Sequence, residues 1–429
     1  MEKYTITCLS CGGHWSDDVS YLQCPKCNGQ LDARLNLGAL KEKCSSPGEF
    51  LNMQGPLPRG MWLYFDFLPL KSAKNIVTLG EGATPLVRCK NLSTKTGLKH
   101  LSIKVETGNP TGSFKDRQVS MGISKAIEMG APGVITVSSG NVGAAVSAYS
   151  ARARLPAMIF VPEISTANKV SQIQMYGARV FKVASKMTSK IQEVVNPFCI
   201  KHGFTNLMTA SPVNPYINHG AKTIAYEIAR DCIEKPGMQL PGVIVCPAGG
   251  GGLLAYVYRG FVDLLDLGII DAIPRFVAVQ PAGCPPLAKA ILEDIAIDRV
   301  LQTPWMNINT IASALADDVP LDARLAIPAV KNSKGTACIV DDAAILAGEK
   351  KLAQLEGIFA EPSSAITVAA LEQLVEKRFV DKSEHVVLLV TGSGFKDMSA
   401  CQRINPELIT IPMEHDWDSE FSKIMQKTK

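Results

Sequence analysis

The body of this chain repeats one pattern: a short apolar run, a loop of small or polar residues, and a longer helical segment. Strands that are apolar at every position are buried on both faces, which indicates parallel sheets covered by helices. In such α/β layers, ligands bind beyond the carboxyl ends of the strands. The clearest strands are 134–137, 243–246 and 386–390, with further candidates at 158–161, 179–183 and 276–279. The sequence therefore predicts an α/β fold whose ligand site lies at the loops that follow the strands.

Composition and charge exclude several classes of function. The formal net charge is +4 and the basic residues are scattered among 40 acidic ones, so nucleic acid and anionic membranes are not expected partners. No run of about 18 apolar residues is present, and the N-terminal residues resemble neither a signal peptide nor a transit segment. We therefore expect a cytoplasmic protein with a small-molecule substrate and no membrane partner.

Four cysteines near the N-terminus form two C-x-x-C pairs, Cys8 with Cys11 and Cys24 with Cys27. Two such pairs at this separation can supply four thiolates to one tetrahedral zinc ion. A four-cysteine site has no open coordination position, so the predicted zinc is structural. A redox dithiol or a relic without metal is the alternative. A ribbon of this kind also raises a rival class of function, a non-catalytic interaction or nucleic-acid-binding module.

Lys115 follows a turn rich in glycine and proline, at the point where a helix is predicted to begin. A helix N-terminus carries unpaired N–H groups and partial positive charge, which disfavour another cation and should lower the pKa of the lysine. A neutral amine can form a Schiff base with a carbonyl cofactor such as pyridoxal phosphate (PLP). For this residue taken alone, an ordinary surface lysine in a first helical turn is the alternative.

Four consecutive glycines, Gly249, Gly250, Gly251 and Gly252, separate a predicted strand from a helix. Glycines let backbone N–H groups approach an anion with no side chain between them, and the helix that follows adds its positive end. No Gly-Lys-Ser/Thr follows, and the spacing does not match the dinucleotide motif G-x-G-x-x-G. The loop therefore indicates a site for an isolated phosphate group, with a simple strand-to-helix connection as the alternative.

Several sequence blocks, in order along the chain, resemble the threonine synthase family of fold type II (tryptophan synthase β) PLP enzymes. They are 79–86, 109–116, 139–141, 214–216 with 220–223, 357–365 and 391–397. Some members of that family also carry an amino-terminal cysteine ribbon. The resemblance implies two doubly wound α/β domains preceded by a small zinc ribbon, and it favours a homodimer. The expected boundaries are a ribbon at 1–35, a large PLP-binding domain at 36–130 and 213–405, a small domain at 131–212 and a C-terminal tail at 406–429.

The resemblance also implies roles for individual residues. Lys115 would be the Schiff-base lysine and the base that moves the Cα proton. The other cofactor contacts would be Asn141 to the 3-hydroxyl, the four glycines to the phosphate, and Thr391 to the pyridine nitrogen. A hydroxyl at that nitrogen makes the cofactor a gentler electron sink than a carboxylate would, which suits elimination. The loop with Ser138 and Ser139, at a helix N-terminus, would bind the carboxylate of the substrate.

Departures from the family pattern bear on the substrate. Threonine synthases that act on O-phosphohomoserine bind its phosphate with polar residues and an arginine at positions that here read Val142, Ser211, Pro212 and Ile217. Losing the arginine removes a charge-assisted contact. A phosphate beside Val142 and Ile217 would be poorly solvated unless other residues, such as Lys222, His219 or Arg117, contact it, and His219 is a candidate to face the substrate. Glu361 is expected only to cap a helix.

The expected function is PLP-dependent elimination or replacement on an amino acid, with the threonine synthase reaction placed first. That reaction converts O-phosphohomoserine to threonine and phosphate. A threonine or serine ammonia-lyase, which yields a 2-oxo acid, is the second hypothesis because it needs no leaving-group phosphate. A β-replacement synthase that uses an activated serine is the third.

Overall fold

A computed structural model describes residues 2–16, 23–163, 165, 167–185 and 188–401, with isolated positions at 403, 413, 416–418 and 421–422. The predicted tail at 406–429 lies almost entirely outside the described residues. Within the described ranges, none of the helices is both long and apolar enough to cross a membrane.

The described strands are β1 (Tyr4–Cys8), β2 (His14–Trp15), β3 (Leu31–Leu35), β4 (Leu86–Arg88), β5 (His100–Val105), β6 (Val134–Val137), β7 (Ala157–Pro162), β8 (Arg179–Val183), β9 (Thr205–Asn206), β10 (Val243–Pro247), β11 (Arg275–Pro281), β12 (Thr336–Val340) and β13 (His385–Val390). The described α-helices are α1 (Leu37–Lys41), α2 (Pro47–Leu51), α3 (Asn91–Thr96), α4 (Lys115–Glu128), α5 (Asn141–Ala153), α6 (Ala167–Met175), α7 (Thr188–His202), α8 (Lys222–Glu234), α9 (Gly252–Asp266), α10 (Pro286–Leu292), α11 (Ile297–Gln302), α12 (Ala323–Asn332), α13 (Asp342–Glu356), α14 (Pro362–Glu376) and α15 (Met398–Cys401). All six predicted strands are confirmed to within two residues.

The N-terminal part is a three-stranded antiparallel sheet in the order β2-β1-β3. Its apolar side chains do not form a core of their own. Tyr4, Ile6 and Leu31 share a buried cluster with Met61 and Trp62 of a 3₁₀ helix at Met61–Phe67. The small sheet is therefore packed onto the body of the protein through a joint hydrophobic core.

The larger of the two main sheets has six strands in the order β12-β11-β10-β13-β5-β4, all parallel except the antiparallel edge strand β4. Successive side chains of a strand point to opposite faces of the sheet. Ile244 accordingly packs against α8, α9 and α12 on one face, while Val243 and Val245 pack against α13 and α14 on the other. Helices on both faces make this a doubly wound layer.

The smaller main sheet is parallel, in the order β8-β7-β6-β9, and packs against α5, α6 and α7. Its strands come from residues 134–206, whereas the six-stranded sheet uses residues 86–105 and 243–390. The predicted fold class of two doubly wound α/β layers is confirmed. The separation of the sheets agrees with a discontinuous large domain, but the boundaries at 130 and 212 stay predictions.

Candidate active site

The turn before Lys115 is fixed by the residue that follows it. Asp116 is buried, and its carboxylate accepts hydrogen bonds from the Thr111 backbone N–H at 2.8 Å and the Thr111 hydroxyl at 2.7 Å. Gly112, with a φ of +85°, takes a left-handed conformation that other residues rarely adopt. The chain therefore turns sharply and enters α4 at Lys115, as the sequence predicts.

The Lys115 amine points into a partly buried space at the carboxyl ends of the strands. Its Nζ donates a hydrogen bond to Thr209 Oγ1 at 2.9 Å. Burial lowers the pKa of Lys115 to about 8, although the charges of Asp317, Asp322 and Glu361 oppose this shift. The expected direction is confirmed, with burial as the principal cause rather than the helix N-terminus. A substantial fraction of this amine is neutral near pH 8.

The loop after β13 pairs with the Lys115 turn. The Phe114 N–H donates to the Thr391 carbonyl at 2.9 Å, which sets Thr391 close to the start of α4. The Thr391 hydroxyl lies 2.8 Å from the Ser364 hydroxyl. The Ser364 hydroxyl also accepts a hydrogen bond from the Gly392 N–H at 2.7 Å. Ser364, on α14, therefore orients the side chain that the sequence assigns to the pyridine nitrogen.

Asn141 reaches the same region from the smaller sheet. It begins α5, and its Nδ2 donates to Glu361 Oε1 at 2.9 Å. A methyl group built on Gly392 would lie 2.4 Å from that oxygen, so a larger residue there would displace the Glu361 carboxylate. Glu361 stands at the N-cap position of α14, but its side chain makes no capping hydrogen bond and instead accepts from Asn141, so the capping role expected from the sequence is wrong.

The remaining predicted contacts in this loop, Ser138 and Ser139, are half-buried at the end of β6. The Ser138 hydroxyl accepts from the Gly140 N–H at 3.2 Å. Val142 follows in the first turn of α5 and is also half-buried. The loop therefore presents hydroxyls and a helix N-terminus, the elements that bind a carboxylate.

The glycine loop, Gly249–Gly252, leads directly into α9, with Gly251 at a φ of +96°. A methyl group on Gly249 would come within 2.4 Å of Asp317 Oδ2, and one on Gly252 within 2.7 Å of Asp322 Oδ2. The Gly250 N–H donates to the Asp317 carboxylate. Burial raises the pKa of Asp317, and it raises the pKa of Asp322 to about 6. The loop thus has backbone donors free of intervening side chains, and the raised pKa values of the two neighbouring carboxyls lessen their repulsion of an anion bound there.

The three side chains that could have replaced the missing phosphate contacts are each engaged in buried contacts of their own. The Arg117 guanidinium is fully buried between Glu106 and Glu227. Lys222 and His219 are also buried. Lys222 pairs with Asp263, and the His219 ring packs at an angle against the Tyr256 ring, near Asp32 of the ribbon.

Two of the predicted substrate positions also face the interior. Ile217 is fully buried in the core formed by α4, α5 and the smaller sheet. Ser211 is fully buried too, and its backbone N–H donates to Asp322 Oδ1 at 3.1 Å. Pro212 is partly buried beside it. Ile217 and Ser211 therefore have no direct access to the Lys115 amine, although their positions in the sequence suggested it.

Sequence reasoning missed five residues around the Lys115 amine and its partner loops. They are Thr209, Asp317, Asp322, Glu361 and Ser364. The Glu-Pro-Ser-Ser block held the only available signal, because it places a carboxylate and two hydroxyls at a helix start. Thr209 and the two aspartates stand in loops with no motif of their own.

The four N-terminal cysteines come together as predicted. The Sγ atoms of Cys8, Cys11, Cys24 and Cys27 all lie within 4.8 Å of one another. The closest pairs are Cys8 with Cys27 at 3.5 Å and Cys11 with Cys24 at 3.7 Å. The cluster is a candidate metal centre formed by both C-x-x-C pairs.

The family model for pyridoxal-phosphate dependent enzymes matches residues 77–392, a span that contains Lys115, the glycine loop and Thr391. The chain belongs to the pyridoxal-phosphate dependent enzyme family. Membership agrees with the placing of Lys115, the glycine loop and Thr391 after the neighbouring strands β5, β10 and β13. The residues of this PLP enzyme therefore fit the cofactor that the family name implies.

Curated relatives of this PLP enzyme are threonine synthases. The threonine synthase of Methanocaldococcus jannaschii is 35% identical over 405 residues, covering 94% of this chain and 96% of the relative. The threonine synthase of Methanosarcina acetivorans is 35% identical over 402 residues, covering 92% of each chain. The protein is thus a threonine synthase-like PLP enzyme over nearly its whole length, and the resemblance drawn from its sequence blocks is confirmed.

Solved structures share the fold at lower identity. Diaminopropionate ammonia lyase from Escherichia coli aligns with a TM-score of 0.63 and 16% identity, covering 78% of this chain and 94% of that one. An L-serine ammonia-lyase from Rhizomucor miehei aligns with a TM-score of 0.62 and 20% identity, covering 75% and 96%. These similarities support the fold alone.

Proposed function

We propose that this PLP enzyme converts O-phosphohomoserine to threonine and phosphate. The observation that carries the proposal is its similarity to threonine synthases over more than nine-tenths of the chain. The local geometry supports it, because a lysine amine with a lowered pKa lies among the loops that would hold a cofactor. Such an amine is suited to both covalent attachment and proton transfer.

The residues divide the work of binding the cofactor. PLP supplies, when bound, an aldehyde for the amine of the substrate and a ring that withdraws electrons from Cα. The glycine loop would hold its phosphate with backbone N–H groups, and Asn141 would meet its 3-hydroxyl. Thr391, oriented by Ser364, would place its hydroxyl at the ring nitrogen. Lys115 would hold the aldehyde carbon until a substrate displaces it.

Proton transfer then falls to Lys115. Once displaced, its neutral amine would take the proton from Cα; loss of phosphate from Cγ then requires removal of a Cβ proton, after which water adds at Cβ and a proton is returned to the product. Thr209, which accepts a hydrogen bond from this amine at 2.9 Å, restricts where Nζ can point. Ser138 and Ser139, at the N-terminus of α5, would hold the substrate carboxylate and orient Cα toward Nζ.

A threonine or serine ammonia-lyase is the second candidate, and a specific observation favours it. Ile217 stands where the family pattern has a phosphate-binding arginine, and it is fully buried in an apolar core. Val142, the other apolar replacement, is half-buried at the start of α5. A lyase whose only net products are a 2-oxo acid and ammonia needs no cation at these positions.

One experiment separates the two candidates. Purified protein with PLP is incubated with O-phosphohomoserine, threonine or serine, and both inorganic phosphate and 2-oxo acids are measured. Phosphate with threonine as co-product supports the first proposal, and a 2-oxo acid from threonine supports the second. Lys115→Ala should abolish either reaction, whereas Lys95→Ala, at an exposed position on α3, should not. If PLP-loaded protein forms neither phosphate nor a 2-oxo acid, both candidates are refuted.

We also propose that the four-cysteine cluster binds structural zinc. Four thiolates at a Zn–S distance of about 2.3 Å in a tetrahedron lie roughly 3.8 Å apart, close to the observed 3.5 and 3.7 Å. Elemental analysis should find about one zinc per chain. Cys24→Ser should lose it, while Cys44→Ser, a buried cysteine outside the cluster, should retain it. Equal zinc content in both variants would refute the site.

The homodimer and the cytoplasmic location stay predictions from the sequence. Size-exclusion chromatography with light scattering tests the first, because a dimer gives twice the mass of the chain. Fractionation of cells that express the untagged protein tests the second.

A further inference from the structure

The N-terminal ribbon places a buried carboxylate inside the larger α/β layer. Asp32, on β3, is 1% exposed and accepts two hydrogen bonds from the Arg259 guanidinium, at 2.7 and 2.8 Å. Arg259 lies on α9, the helix that begins with the last glycine of the glycine loop. A charge removed from water is retained only with a partner, so the Asp32–Arg259 pair ties the ribbon to α9.

A chain of hydrogen bonds continues from Asp32 to the glycine loop. The Tyr256 hydroxyl donates to Asp32 Oδ1 at 3.4 Å and accepts from the Ser211 hydroxyl at 3.2 Å. Ser211 in turn donates its backbone N–H to Asp322 Oδ1 at 3.1 Å. Asp322 donates its own backbone N–H to the Gly250 carbonyl at 2.9 Å. Four contacts therefore connect the ribbon to the loop that fits a phosphate group.

The members of this chain are held from several sides. The Arg259 guanidinium lies 5.0 Å above the Tyr256 ring, and the His219 ring contacts its edge at 4.9 Å. The Asn218 amide donates to the Ser211 hydroxyl at 3.1 Å and to Asp322 Oδ2 at 3.3 Å. The bonds from Asn218 through the Ser211 and Tyr256 hydroxyls all donate toward the ribbon, so each polarises the next. The backbone N–H groups of Ser211 and Asp322 donate the other way, toward the glycine loop. Such a buried network has one favoured arrangement.

We propose that Asp32 is a positioning residue for the cofactor site. Through Arg259 it fixes α9, and through Tyr256 and Ser211 it fixes the loop that carries Asp322 beside the glycine loop. This inference rests on the glycine loop holding the PLP phosphate, as proposed above. It makes the ribbon a structural part of the cofactor site rather than an appended module.

Two substitutions test the role of these hydrogen bonds in PLP binding. Tyr256→Phe removes one hydroxyl without burying a new charge, and we expect PLP affinity to fall about 3- to 10-fold, the effect of one hydrogen bond. Asp32→Asn also weakens the contact to Arg259, so its loss of affinity should be larger. The double variant should lose less than the product of the two single losses, because both act on one network. Affinity is measured by titrating apoprotein with PLP at a temperature where circular dichroism shows every variant folded.

Lys3→Met is the matched control. Lys3 also anchors the ribbon, through hydrogen bonds to the carbonyls of Phe65 and Leu70 at 2.7 and 2.8 Å, but these atoms have no part in the chain to Gly250. All the ribbon variants should unfold at lower temperature, yet this one should bind PLP as the wild type does. Suppose that the wild type catalyses the proposed reaction but Asp32→Asn and Tyr256→Phe bind PLP as tightly as it does. The positioning role is then refuted while the proposed function stands. Equal weakening in Lys3→Met would also refute it, because ribbon docking in general would then be the cause.

Discussion

Replacing Arg117 by methionine should be among the most destabilising single changes in this protein. Its guanidinium is fully buried and donates to Glu106 at 2.7 and 2.9 Å and to Glu227 at 2.7 Å through two nitrogens. Lys104 also pairs with Glu227 at 2.7 Å. Two buried carboxylates are thus balanced by two cations. Arg117→Met leaves Glu106 without a cationic partner in this cluster.

The magnitude follows from two routes. Removing one partner of a buried ion pair costs about 3–5 kcal/mol. Alternatively, the orphaned carboxyl can take up a proton, which at pH 7 costs about 3.7 kcal/mol for a glutamate with a pKa near 4.3. Protonation sets an upper limit on the cost of the unpaired charge, and this limit agrees with the first estimate. We therefore expect Arg117→Met to lower the free energy of unfolding by about 4 kcal/mol at pH 7.

The stability lost in Arg117→Met should depend on pH. Burial alone would raise the pKa of Glu227, but Arg117 and Lys104 together hold it well below its usual range. Stability from such a depressed carboxyl is present above its unfolded pKa and is lost as pH falls through the folded one. In the variant, a buried carboxylate without a cationic partner is costly, and protonation in acid removes its charge. The gap between wild type and Arg117→Met should therefore narrow by up to about 1.4 kcal/mol per pH unit below pH 7.

Urea unfolding of apoprotein, followed by tryptophan fluorescence at pH 7 and pH 5.5, measures this gap. Arg275→Met is the control, because Arg275 pairs with Glu384 at 2.7 Å in a setting where both side chains are more than a quarter exposed. Such a pair should contribute about 1 kcal/mol or less. Glu106→Gln combined with Arg117→Met should recover part of the loss, because no buried charge is then unpaired. Equal losses in the two arginine variants, or a gap that does not change with pH, would refute the reasoning.

Three further outcomes follow from the site. The rate at which apoprotein captures PLP, followed by the rise of visible absorbance, should increase with pH up to about 8, because only the neutral Lys115 amine attacks and burial lowers its pKa to about 8; a rate independent of pH from 6 to 9 would contradict this. Gly249→Ala should weaken PLP binding about 10-fold, because its methyl group would lie 2.4 Å from Asp317 Oδ2, while Gly48→Ala, at an exposed position on α2 with open space, should change it less than 3-fold. Thr391→Val should keep PLP bound but lower kcat about 10- to 100-fold, since the hydroxyl at the ring nitrogen is lost while its neighbours remain; unchanged kcat would remove Thr391 from the site.

The sequence predicts the strands of this fold well because buried parallel strands are apolar at every position. The run 134–137 is fully buried and matches β6 residue for residue. The run 179–183 also matches β8, but that edge strand is mostly exposed and carries Arg179 and Lys182 between its apolar residues. The short strands β4 and β9 are not evident in the sequence, since two or three residues carry no periodic pattern. Their place is set by pairing with β5 and β6, which is a property of the tertiary structure.

The candidate site is predicted only where a motif reports a local conformation. Lys115 and the glycine loop are recognisable because a turn or a helix start must have those residues nearby. Thr209 contacts the Lys115 amine across a long separation in sequence, so no local pattern marks it. The Glu-Pro-Ser-Ser block marks Glu361, but it does not reveal the contact with the distant Asn141. Arg117 shows the converse error: a cation near a motif suggests a ligand, yet its burial commits it to the core.

The distribution of buried charge connects the core to the chemistry at Lys115. The core cations Arg117 and Lys222 neutralise carboxylates away from the site, so they do not compete for an anionic ligand. The acids that remain near the amine, Asp317 and Asp322, work against burial and keep the pKa of Lys115 from falling further. Without them, burial would leave the amine neutral but a weaker base toward Cα. The balance between burial and these two carboxylates therefore tunes Lys115 to be neutral enough to attack an aldehyde and basic enough to remove a proton.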